Sequence, residues 1–555
     1  MRLALLTLAC LLALPAQAQR LVVHGGPIWT VDAQRPQAEA FAVEDGAIVA
    51  VGDLADVGAG RADWPDLDLQ GRTVVPGFID AHAHLMGLGE ALLRVDLVGA
   101  GTLDETLDRV AAFAADLPEG AWVLGRGWDQ TDWPAQADGS RPFPTRHDLD
   151  RAVPDRPVWL SRVDGHAGWA NTAALRAAGI DPDAPAPADP VGGRVIQDEA
   201  GRPTGVFIDA AERTVEDAVP APGLDTVLEA LERATEETAR LGITGVHEAG
   251  VSLAQAELYG RAIAAGRFPI RNHAMLSEEH LDAACADGLV PMTHASGRLQ
   301  IRSVKIYGDG ALGSRGAALH APYADDPGNA GLLFRDDDAL EARVRQAMAC
   351  GLQVNTHAIG DRGNRTVIDA YEAAIAATGG AAGRHRIEHA QVVALADIER
   401  IASLGLIASV QPTHATSDMP WAGDRVGADR VRGAYAWRRL VDAGARLALG
   451  SDFPVERVSP LLGFYAAVTR QDADAHPAGG WYGNQSLTRA EALRGFTLDA
   501  AYAGFMESEV GSLAPGKRAD YVVLSQDLMT VPPEQILATE VLATVLDGAP
   551  IYAAE

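Results

Sequence analysis

The stretch that decides the fold runs Val74-Val75-Pro76-Gly77-Phe78-Ile79-Asp80-Ala81-His82-Ala83-His84. A short apolar, β-branched run here leads into two histidines that are one residue apart. In an extended strand, residues i and i+2 point to the same face, so His82 and His84 can present two imidazoles to one metal ion at the end of a strand. A lone His-x-His pair arises easily by chance, so its meaning depends on what the rest of the chain places at other strand ends.

Eight short apolar runs between residues 73 and 455 end in polar or ionisable residues. From the second run onward, helical segments rich in Ala, Glu and Arg separate them, for example 340–350 and 365–378. This alternation predicts an α/β fold, a parallel sheet covered by helices, and eight such units predict a (β/α)8 TIM barrel. The active site of such a barrel is expected where the strands end. The eight runs are 74–80, 244–247, 270–274, 303–307, 353–357, 386–389, 407–411 and 446–451.

Two further parts are predicted around the barrel, which is assigned to residues 74–499. Residues 86–240 separate the first and second barrel strands, far more chain than a crossover helix needs. We expect this large insertion to form a subdomain that acts as a substrate lid. Residues 19–73 and 500–555 alternate in hydrophobicity as strands do, which predicts a small β-sandwich domain formed by both termini.

Residues 1–18 resemble a secretory signal peptide. Arg2 is followed by an apolar run over 3–14 and by Pro15-Ala16-Gln17-Ala18, an A-x-A cleavage pattern. We therefore expect export to a periplasm or to the medium, with a mature chain that starts at Gln19. Beyond the leader only Cys285 and Cys350 remain. We expect two buried free thiols, with one disulfide as the alternative.

The charge of the chain limits its partners. Its 555 residues include 75 acidic and 46 basic side chains, a formal net charge of −29. This excess of negative charge argues against nucleic acid or an anionic membrane as a partner. No stretch after the leader is long and apolar enough to span a bilayer. We expect a small-molecule substrate and no membrane insertion of the mature chain, and a homodimer is compatible with the sequence.

Lys305 is unusual because lysine is so rare in this chain. The sequence contains two lysines, Lys305 and Lys517, and therefore 44 arginines among its 46 basic residues. A lysine retained inside an apolar strand indicates a task that arginine cannot perform. Burial depresses the pKa of a lysine, and the neutral amine can capture carbon dioxide to form a carbamate that binds metal as a carboxylate does. The alternative is a buried lysine paired with an acid such as Asp309.

Three more ionisable side chains close predicted strands: His357, His389 and Asp452. Histidines at strand ends are often capping or core residues, so each of them alone is ambiguous. Together with the two histidines and the lysine described above, they form a donor set that suits Zn²⁺ or a similar first-row divalent ion, singly or as a bridged pair.

The order His-x-His, strand Lys, His, His, Asp resembles the metal-dependent amidohydrolase superfamily. Finer motifs are similar to its N-substituted formamide deformylase branch and cover essentially all of the mature chain. Glu248 stands where that branch is expected to have an aspartate. The motifs are Gly125-Arg126-Gly127-Trp128-Asp129, Asp164-Gly165-His166, Val246-His247-Glu248-Ala249-Gly250, Asp309-Gly310-Ala311-Leu312-Gly313-Ser314-Arg315-Gly316, His357-Ala358-Ile359-Gly360-Asp361, Gln411-Pro412-Thr413-His414 and Pro515-Gly516-Lys517-Arg518-Ala519-Asp520.

This resemblance implies a metal shell and a mechanism. The implied metal ligands are His82, His84, Lys305 as N6-carboxylysine, His357, His389 and Asp452. The ion, one or two in number, would lower the pKa of a bound water, and Asp452 would accept its proton and deliver it to the leaving amine. The metal or a nearby imidazole, for which His357 is the candidate, would stabilise the oxyanion.

Weaker substrate-binding candidates lie in polar loop motifs, where it is equally open that they support the metal ligands or the structure instead. For Trp128 and Trp169 the alternatives are the wall of an apolar pocket and packing inside the insertion, and packing is favoured. The candidates are Trp128, Asp164, His166, Arg315, Asp361 and His414.

The sequence thus predicts an exported metal-dependent hydrolase that cleaves a non-peptide amide-type C–N bond in a formamide, a cyclic amide or a similar molecule. A carboxylic ester hydrolase on the same site is one alternative. A non-catalytic binding protein on an amidohydrolase barrel is the other, and a missing ligand would favour it. The substrate itself depends on loops near residues 120–210, whose geometry the sequence pattern does not give.

Overall fold

The computed structural model describes residues 20–163, 166–190, 192–379 and 383–554. The leader-like segment and Asp164 lie outside these residues. The chain divides into two compact units, Met86–Arg233 and the rest of the described chain on both sides of it. In the described ranges, none of the helices combines the length and the apolar character needed to cross a membrane.

Eight parallel strands form a nearly closed barrel, which confirms the predicted fold class. Each strand pairs with the next in chain order, and each overlaps one of the eight predicted runs. The short strand Met292–Thr293 adds to the fourth barrel strand in the antiparallel direction. In chain order, the barrel strands are Phe78–Ala83, Ile243–Val251, Arg271–Ser277, Leu299–Tyr307, Gln353–Ala358, Arg386–His389, Ile407–Val410 and Arg446–Leu449.

The first predicted run, 74–80, is split by Gly77 into strands of two different sheets. Thr73–Pro76 pairs with Tyr521–Leu524 in the sheet of the termini, whereas Phe78–Ala83 is the first barrel strand. A Cβ on Gly77 would lie 2.3 Å from Thr244 Oγ1, so the close approach of the second barrel strand requires glycine. The prediction of one continuous strand is therefore wrong at this residue.

Two backbone hydrogen bonds close the barrel between the carboxyl end of its first strand and the segment that follows its eighth strand. Asp452 N–H donates to His82 O at 2.8 Å, and His84 N–H donates to Phe453 O at 2.9 Å. We call this pair of hydrogen bonds the closing seam. It joins two segments that are far apart in sequence, and each of them carries predicted metal ligands.

Helices follow the barrel strands and bury their apolar sides. Val344 and Ala347 of helix Asp337–Ala349 are examples of buried positions. Ser459 begins helix Pro460–Thr469 as its N-cap, since its hydroxyl accepts the Leu462 N–H at 3.2 Å. The α-helices of residues 224–503 are Leu224–Arg240, Leu253–Ala264, Leu281–Ala286, Asp337–Ala349, Asp361–Thr378, Leu395–Ser403, Pro412–Asp418, Ala422–Arg430, Trp437–Asp442, Pro460–Thr469, Arg489–Gly495 and Leu498–Ala503.

The strands of both termini belong to one continuous eight-stranded sheet. Phe41 and Tyr521 lie three strand steps apart, about 14 Å in a flat sheet, yet their rings meet at 5.2 Å. The sheet therefore curves around a shared core, and the predicted sandwich takes the form of one curved sheet. Its strands are Leu21–Trp29, Gln37–Glu44, Ala47–Gly52, Asp66–Asp68, Thr73–Pro76, Tyr521–Leu524, Val541–Leu546 and Ala549–Ala553, and helix Leu54–Gly58 accompanies them.

The unit Met86–Arg233 is built on a six-stranded mixed sheet. Its core packs the rings of Trp128 and Trp169 at 5.7 Å. Trp128 is fully buried and donates its indole N–H to Leu160 O at 2.8 Å. The burial and this hydrogen bond favour the packing alternative for Trp128, and a substrate contact by its ring stays a prediction. The strands are Val95–Asp96, Val123–Trp128, Val158–Arg162, Ala167–Ala170, Gly193–Gln197 and Pro203–Asp209, and the helices are Leu103–Ala115, Arg146–Ala152, Thr172–Ala177 and Arg213–Glu216, with Leu85–Leu92 leading in.

Cys285 and Cys350 form a disulfide, which contradicts the expectation of free thiols. The bridge joins helix Leu281–Ala286 to the C-cap of helix Asp337–Ala349, 65 residues further along the chain. The Cα atoms are 5.9 Å apart, within the range that a disulfide requires. The local sequence carries no sign of this pairing because it depends on how the two helices are placed.

Candidate metal centre

The six predicted ligands converge at the carboxyl ends of the barrel strands. The rings of His82 and His389 lie 4.8 Å apart, and those of His357 and His389 lie 4.6 Å apart. Lys305 approaches the same group from the fourth strand, with its Nζ 3.2 Å from His82 Nε2. The structure thus brings together side chains from five separate segments, as the sequence pattern predicted.

Asp452 lies at the centre of this group. Its Oδ1 is 3.1 Å from His84 Nε2 and 3.6 Å from His82 Nε2. Its backbone has a φ of 64°, a left-handed conformation that is unusual for a non-glycine residue and is often associated with functional sites. Burial alone would raise the pKa of Asp452, but the neighbouring imidazoles outweigh it and hold the pKa well below its ordinary value. Asp452 is therefore an anion at neutral pH.

His414 joins the donor group, although the sequence placed it among the substrate-binding candidates. Its Nε2 is 3.6 Å from Asp452 Oδ2, and its ring is stacked on that of His389 with the centroids 6.0 Å apart. Ligand atoms of His389, His414 and Asp452 lie within 4.8 Å of one another, as do those of His82, His84 and Asp452. Asp452 is shared by both sets, so the arrangement suits one ion or a bridged pair.

The state of these donors fits a divalent cation. The buried Nε2 atoms of His357 and His414 have no hydrogen-bond partner among the described residues, and a buried polar atom without a partner costs about 1–3 kcal/mol. Burial, with Lys305 as the next cause, lowers the pKa of His357 to about 3 and that of His82 to about 4. These two imidazoles are therefore neutral, which is the state that binds metal. Imidazole and carboxylate donors suit Zn²⁺ and related ions.

Lys305 is buried and does not pair with Asp309, the alternative that the sequence left open. Asp309 instead accepts three backbone N–H groups, at 2.8–2.9 Å, from the loops around it. Burial, reinforced by Arg386, lowers the pKa of Lys305 to about 8 although Glu388 and Asp452 oppose the shift. A minor fraction of the amine is therefore neutral near neutral pH.

Three side chains that contact the ligands or the segments carrying them were missed by the sequence interpretation. Asp80 accepts the Ser451 hydroxyl at 2.6 Å and the Ser451 N–H at 3.0 Å, which fixes the end of the eighth strand. Burial raises the pKa of Asp80 to about 7. Gln411 Oε1 lies 2.9 Å from His389 Nδ1. Glu388, the third, contacts His82 Nδ1.

The signal that could have revealed two of these residues is the strand period. Asp80 precedes His82 by two residues, and Arg386 precedes Glu388 by two, so each pair shares one face of its strand. Burial would raise the pKa of Glu388, but Arg386 and His82 hold it well below the ordinary value. Glu388 is therefore ionised. Gln411 was quoted in a motif, but nothing in its spacing assigned it a partner.

The remaining candidates are engaged in other contacts. Arg315 forms an ion pair with Asp325 at 2.7 Å. Asp361 is buried and accepts the backbone N–H of His320 at 2.9 Å. His166 is exposed on the inserted unit, with its Nδ1 2.7 Å from a carboxylate there. Asp164 lies outside the described residues. Substrate contacts by these residues stay predictions.

Known proteins resemble this chain over nearly its whole length. The putative amidohydrolase YtcJ of Bacillus subtilis (strain 168) is 35% identical over 542 residues, covering 96% of this chain and 99% of the relative. The N-substituted formamide deformylase of Arthrobacter pascens is 31% identical over 553 residues, covering 97% of this chain and 99% of the relative.

Solved structures share the fold. An uncharacterized metal-dependent hydrolase from Pyrococcus horikoshii OT3 superposes with a TM-score of 0.75 at 28% identity, covering 93% of this chain and 99% of that one. A profile described as the amidohydrolase family matches residues 67–552. With the donor group described above, these matches show that the chain belongs to the amidohydrolase family and is a metal-dependent hydrolase.

Proposed function

We propose that this hydrolase cleaves a non-peptide amide-type C–N bond in a small molecule such as a formamide or a cyclic amide, with Asp452 as the general base. The observation that carries the proposal is the position of Asp452, an anion buried beside the imidazoles of His82 and His84 at the carboxyl end of the barrel. The name of the relative from Arthrobacter pascens, an N-substituted formamide deformylase, supports this bond class.

A bound divalent cation, for which we propose Zn²⁺, would supply Lewis acidity to the attacking water and to the scissile carbonyl. His82, His84, His357, His389 and Asp452 would hold it together with Lys305. Asp452 accepts a proton from the attacking water, because its carboxylate is ionised at neutral pH, and delivers that proton to the leaving nitrogen. An amide nitrogen must be protonated before it leaves, whereas an alkoxide leaves more readily. A proton carrier in this position therefore favours amides over esters.

We also propose that Lys305 is carboxylated when metal is bound. The neutral amine attacks the carbon of carbon dioxide, an N–C bond forms, and one proton passes to solvent, which leaves a carbamate anion. An ammonium group 3.2 Å from His82 Nε2 would repel a cation held there, whereas a carbamate would attract it. The pKa of about 8 supports this step because it leaves a neutral fraction of the amine.

Metal loading with and without bicarbonate tests the carbamate. Metal-free protein in carbon dioxide-free buffer is expected to bind metal incompletely, and added bicarbonate is expected to restore full stoichiometry. A ¹³C signal from labelled bicarbonate should appear in the wild type and be absent from Lys305→Arg. Full loading of the wild type without bicarbonate would contradict carboxylation.

Export is the remaining part of the proposal. The leader-like residues 1–18 motivate it, and the Cys285–Cys350 disulfide supports it because disulfides persist in oxidising compartments. Cell fractionation followed by mass measurement of the N-terminus is expected to find a chain that starts at Gln19 outside the cytoplasm. A full-length chain confined to the cytoplasm would contradict export.

A matched substrate pair tests the reaction. We expect the purified protein to contain a first-row divalent metal and to hydrolyse an N-substituted formamide faster than the formate ester of the corresponding alcohol. Chelation should abolish the activity and Zn²⁺ should restore it. Hydrolysis of the esters alone would assign the site to carboxylic esters.

A further inference from the structure

A buried arginine and a buried glutamate stand beside the proposed metal ligand His82. Arg386 and Glu388 are two residues apart on the strand Arg386–His389, so both side chains leave the same face of that strand. Both are fully buried. Arg386 Nε lies 2.7 Å from Glu388 Oε1, and its Nη2 lies 3.1 Å from Oε2. Neither residue belongs to the donor set, and neither has a role in the proposed reaction.

The carboxylate of Glu388 determines which nitrogen of His82 can bind a metal. Its Oε2 contacts His82 Nδ1 directly. A carboxylate paired with a guanidinium, as Glu388 is with Arg386, only accepts hydrogen bonds, so Nδ1 carries the proton and Nε2 keeps the lone pair. Nε2 is the nitrogen that faces the donor group, 3.6 Å from Asp452 Oδ1. In the opposite tautomer, a proton would occupy the position where a cation must bind.

Arg386 ties the carboxylate to the strand that carries His82. Its Nη2 donates to the backbone oxygen of Ala81, the residue before His82, and to Ser409 Oγ at 2.8 Å. Its Nη1 lies 2.8 Å from His247 Nδ1. The guanidinium therefore contacts the first, second and seventh barrel strands from its place on the sixth. Because these contacts fix the guanidinium, they also fix the carboxylate that is paired with it.

His389 provides a contrast within the same donor group. Its Nδ1 faces Gln411 Oε1 at 2.9 Å. An amide can turn to present either its oxygen or its NH₂ group, so Gln411 can pair with either tautomer of His389. The partner of His82 is a carboxylate, which can only accept a hydrogen bond and therefore pairs with one tautomer only. Of these two imidazoles, His82 is the one whose metal-binding nitrogen is set by its partner.

We propose that Glu388, held in place by Arg386, is a positioning residue that fixes His82 as an Nε2 ligand of the metal. The proposal rests on the proposed function only in taking His82 as a metal ligand. It does not depend on which substrate is cleaved.

The variant Glu388→Gln tests this through metal affinity, measured by competition with a chelator for Zn²⁺ and Co²⁺. We expect affinity to fall about 10- to 100-fold and the visible spectrum of the Co²⁺-loaded protein to change, because an amide permits the wrong tautomer of His82. The matched control is Asp520→Asn, which removes the carboxylate of another buried ion pair, Arg271 Nε to Asp520 Oδ2 at 3.0 Å. Affinity and spectrum should stay unchanged in this control.

Wild-type metal affinity and an unchanged Co²⁺ spectrum in Glu388→Gln would overturn the proposal and leave the ion pair with a structural role only. If Glu388→Gln does not fold, the tautomer is measured in the wild type by ¹⁵N-histidine NMR of the metal-free protein, with His82 assigned from the His82→Asn spectrum. We expect a protonated Nδ1, and a protonated Nε2 would overturn the proposal. Neither readout uses turnover. A protein that meets both expectations but hydrolyses no amide would contradict the proposed function alone.

Discussion

The imidazoles at the carboxyl end of the barrel and the Trp128–Trp169 pair in the core of the inserted unit are both buried, but they differ in whether their ring nitrogens have hydrogen-bond partners. At the barrel end, the Nε2 atoms of His357 and His414 have no hydrogen-bond partner within the described part of the chain. In the inserted unit, Trp128 and Trp169 both donate their indole N–H groups to backbone oxygens, at 2.8 and 2.9 Å. Unpaired buried donors and acceptors cost stability. The barrel end is therefore arranged for a ligand, and the two tryptophans are arranged for packing.

The strongest test of this contrast removes the charge of Asp452. Asp452→Asn keeps the shape of the side chain but cannot accept a proton as the carboxylate does. We expect turnover to fall by about 10²- to 10⁴-fold, with most of the metal still bound. Steady-state kinetics and metal analysis of the same preparation check this. Retained turnover would remove Asp452 from the general-base role.

Trp128→Ala tests the packing side of the contrast. Removal of this fully buried ring should lower the free energy of unfolding by about 3–5 kcal/mol because it leaves a cavity. Metal affinity at a temperature where the variant is folded should match the wild type. Urea denaturation and chelator competition measure the two quantities. Unchanged stability together with a raised KM would instead make Trp128 a substrate contact.

The Cys285–Cys350 bridge provides a third comparison, away from both regions. Replacing both cysteines with serine should lower the free energy of unfolding by about 2–4 kcal/mol, since the bridge closes a long loop in the unfolded chain. Metal affinity should not change. Urea denaturation measures the loss. Alkylation of the denatured, unreduced wild type should label neither cysteine, and labelling of both would show that the thiols are free.

The smallest expected effect lies at the start of helix Arg489–Gly495. The hydrogen bond from Arg438 to Glu491, with those from Thr488, outweighs desolvation and lowers the pKa of Glu491 to about 2. A carboxyl with a depressed pKa stabilises the folded state above its unfolded pKa of about 4.5, and this contribution is lost as the pH falls towards 2. Because the side chain is 31% exposed, we discount the effect to about 1 kcal/mol.

Urea denaturation of Glu491→Gln and of the wild type checks this. The variant should be less stable by that amount at pH 7, and the difference should shrink between pH 4.5 and pH 3. A difference that stays constant over this range would contradict the pKa argument.

The barrel could be predicted from sequence because a buried parallel strand leaves a continuous apolar run. The sixth strand, Arg386–His389, was predicted residue for residue. The donor group followed because ionisable side chains closed these runs. The break in the strand at Gly77 was not predicted, because glycine is required there by the close approach of Thr244 from another strand.

The features that the sequence did not give depend on distances between segments remote in the chain. The disulfide requires two helices to bring Cys285 and Cys350 within bonding range. The contact of Glu388 with His82 requires the sixth strand to face the first. The sequence placed His414 with the substrate-binding candidates rather than with the metal donors, since a motif does not show which way a side chain points.

Because of the closing seam, activity should depend on an intact polypeptide chain. The hydrogen bonds from Asp452 N–H and to Phe453 O join the two segments that supply the His-x-His pair and the aspartate. A chain that ends before Asp452 would lose this aspartate from the site together with the closing seam. Truncated or proteolysed molecules should therefore have no hydrolase activity rather than a reduced one. The activity of a preparation then reports the amount of intact protein in it.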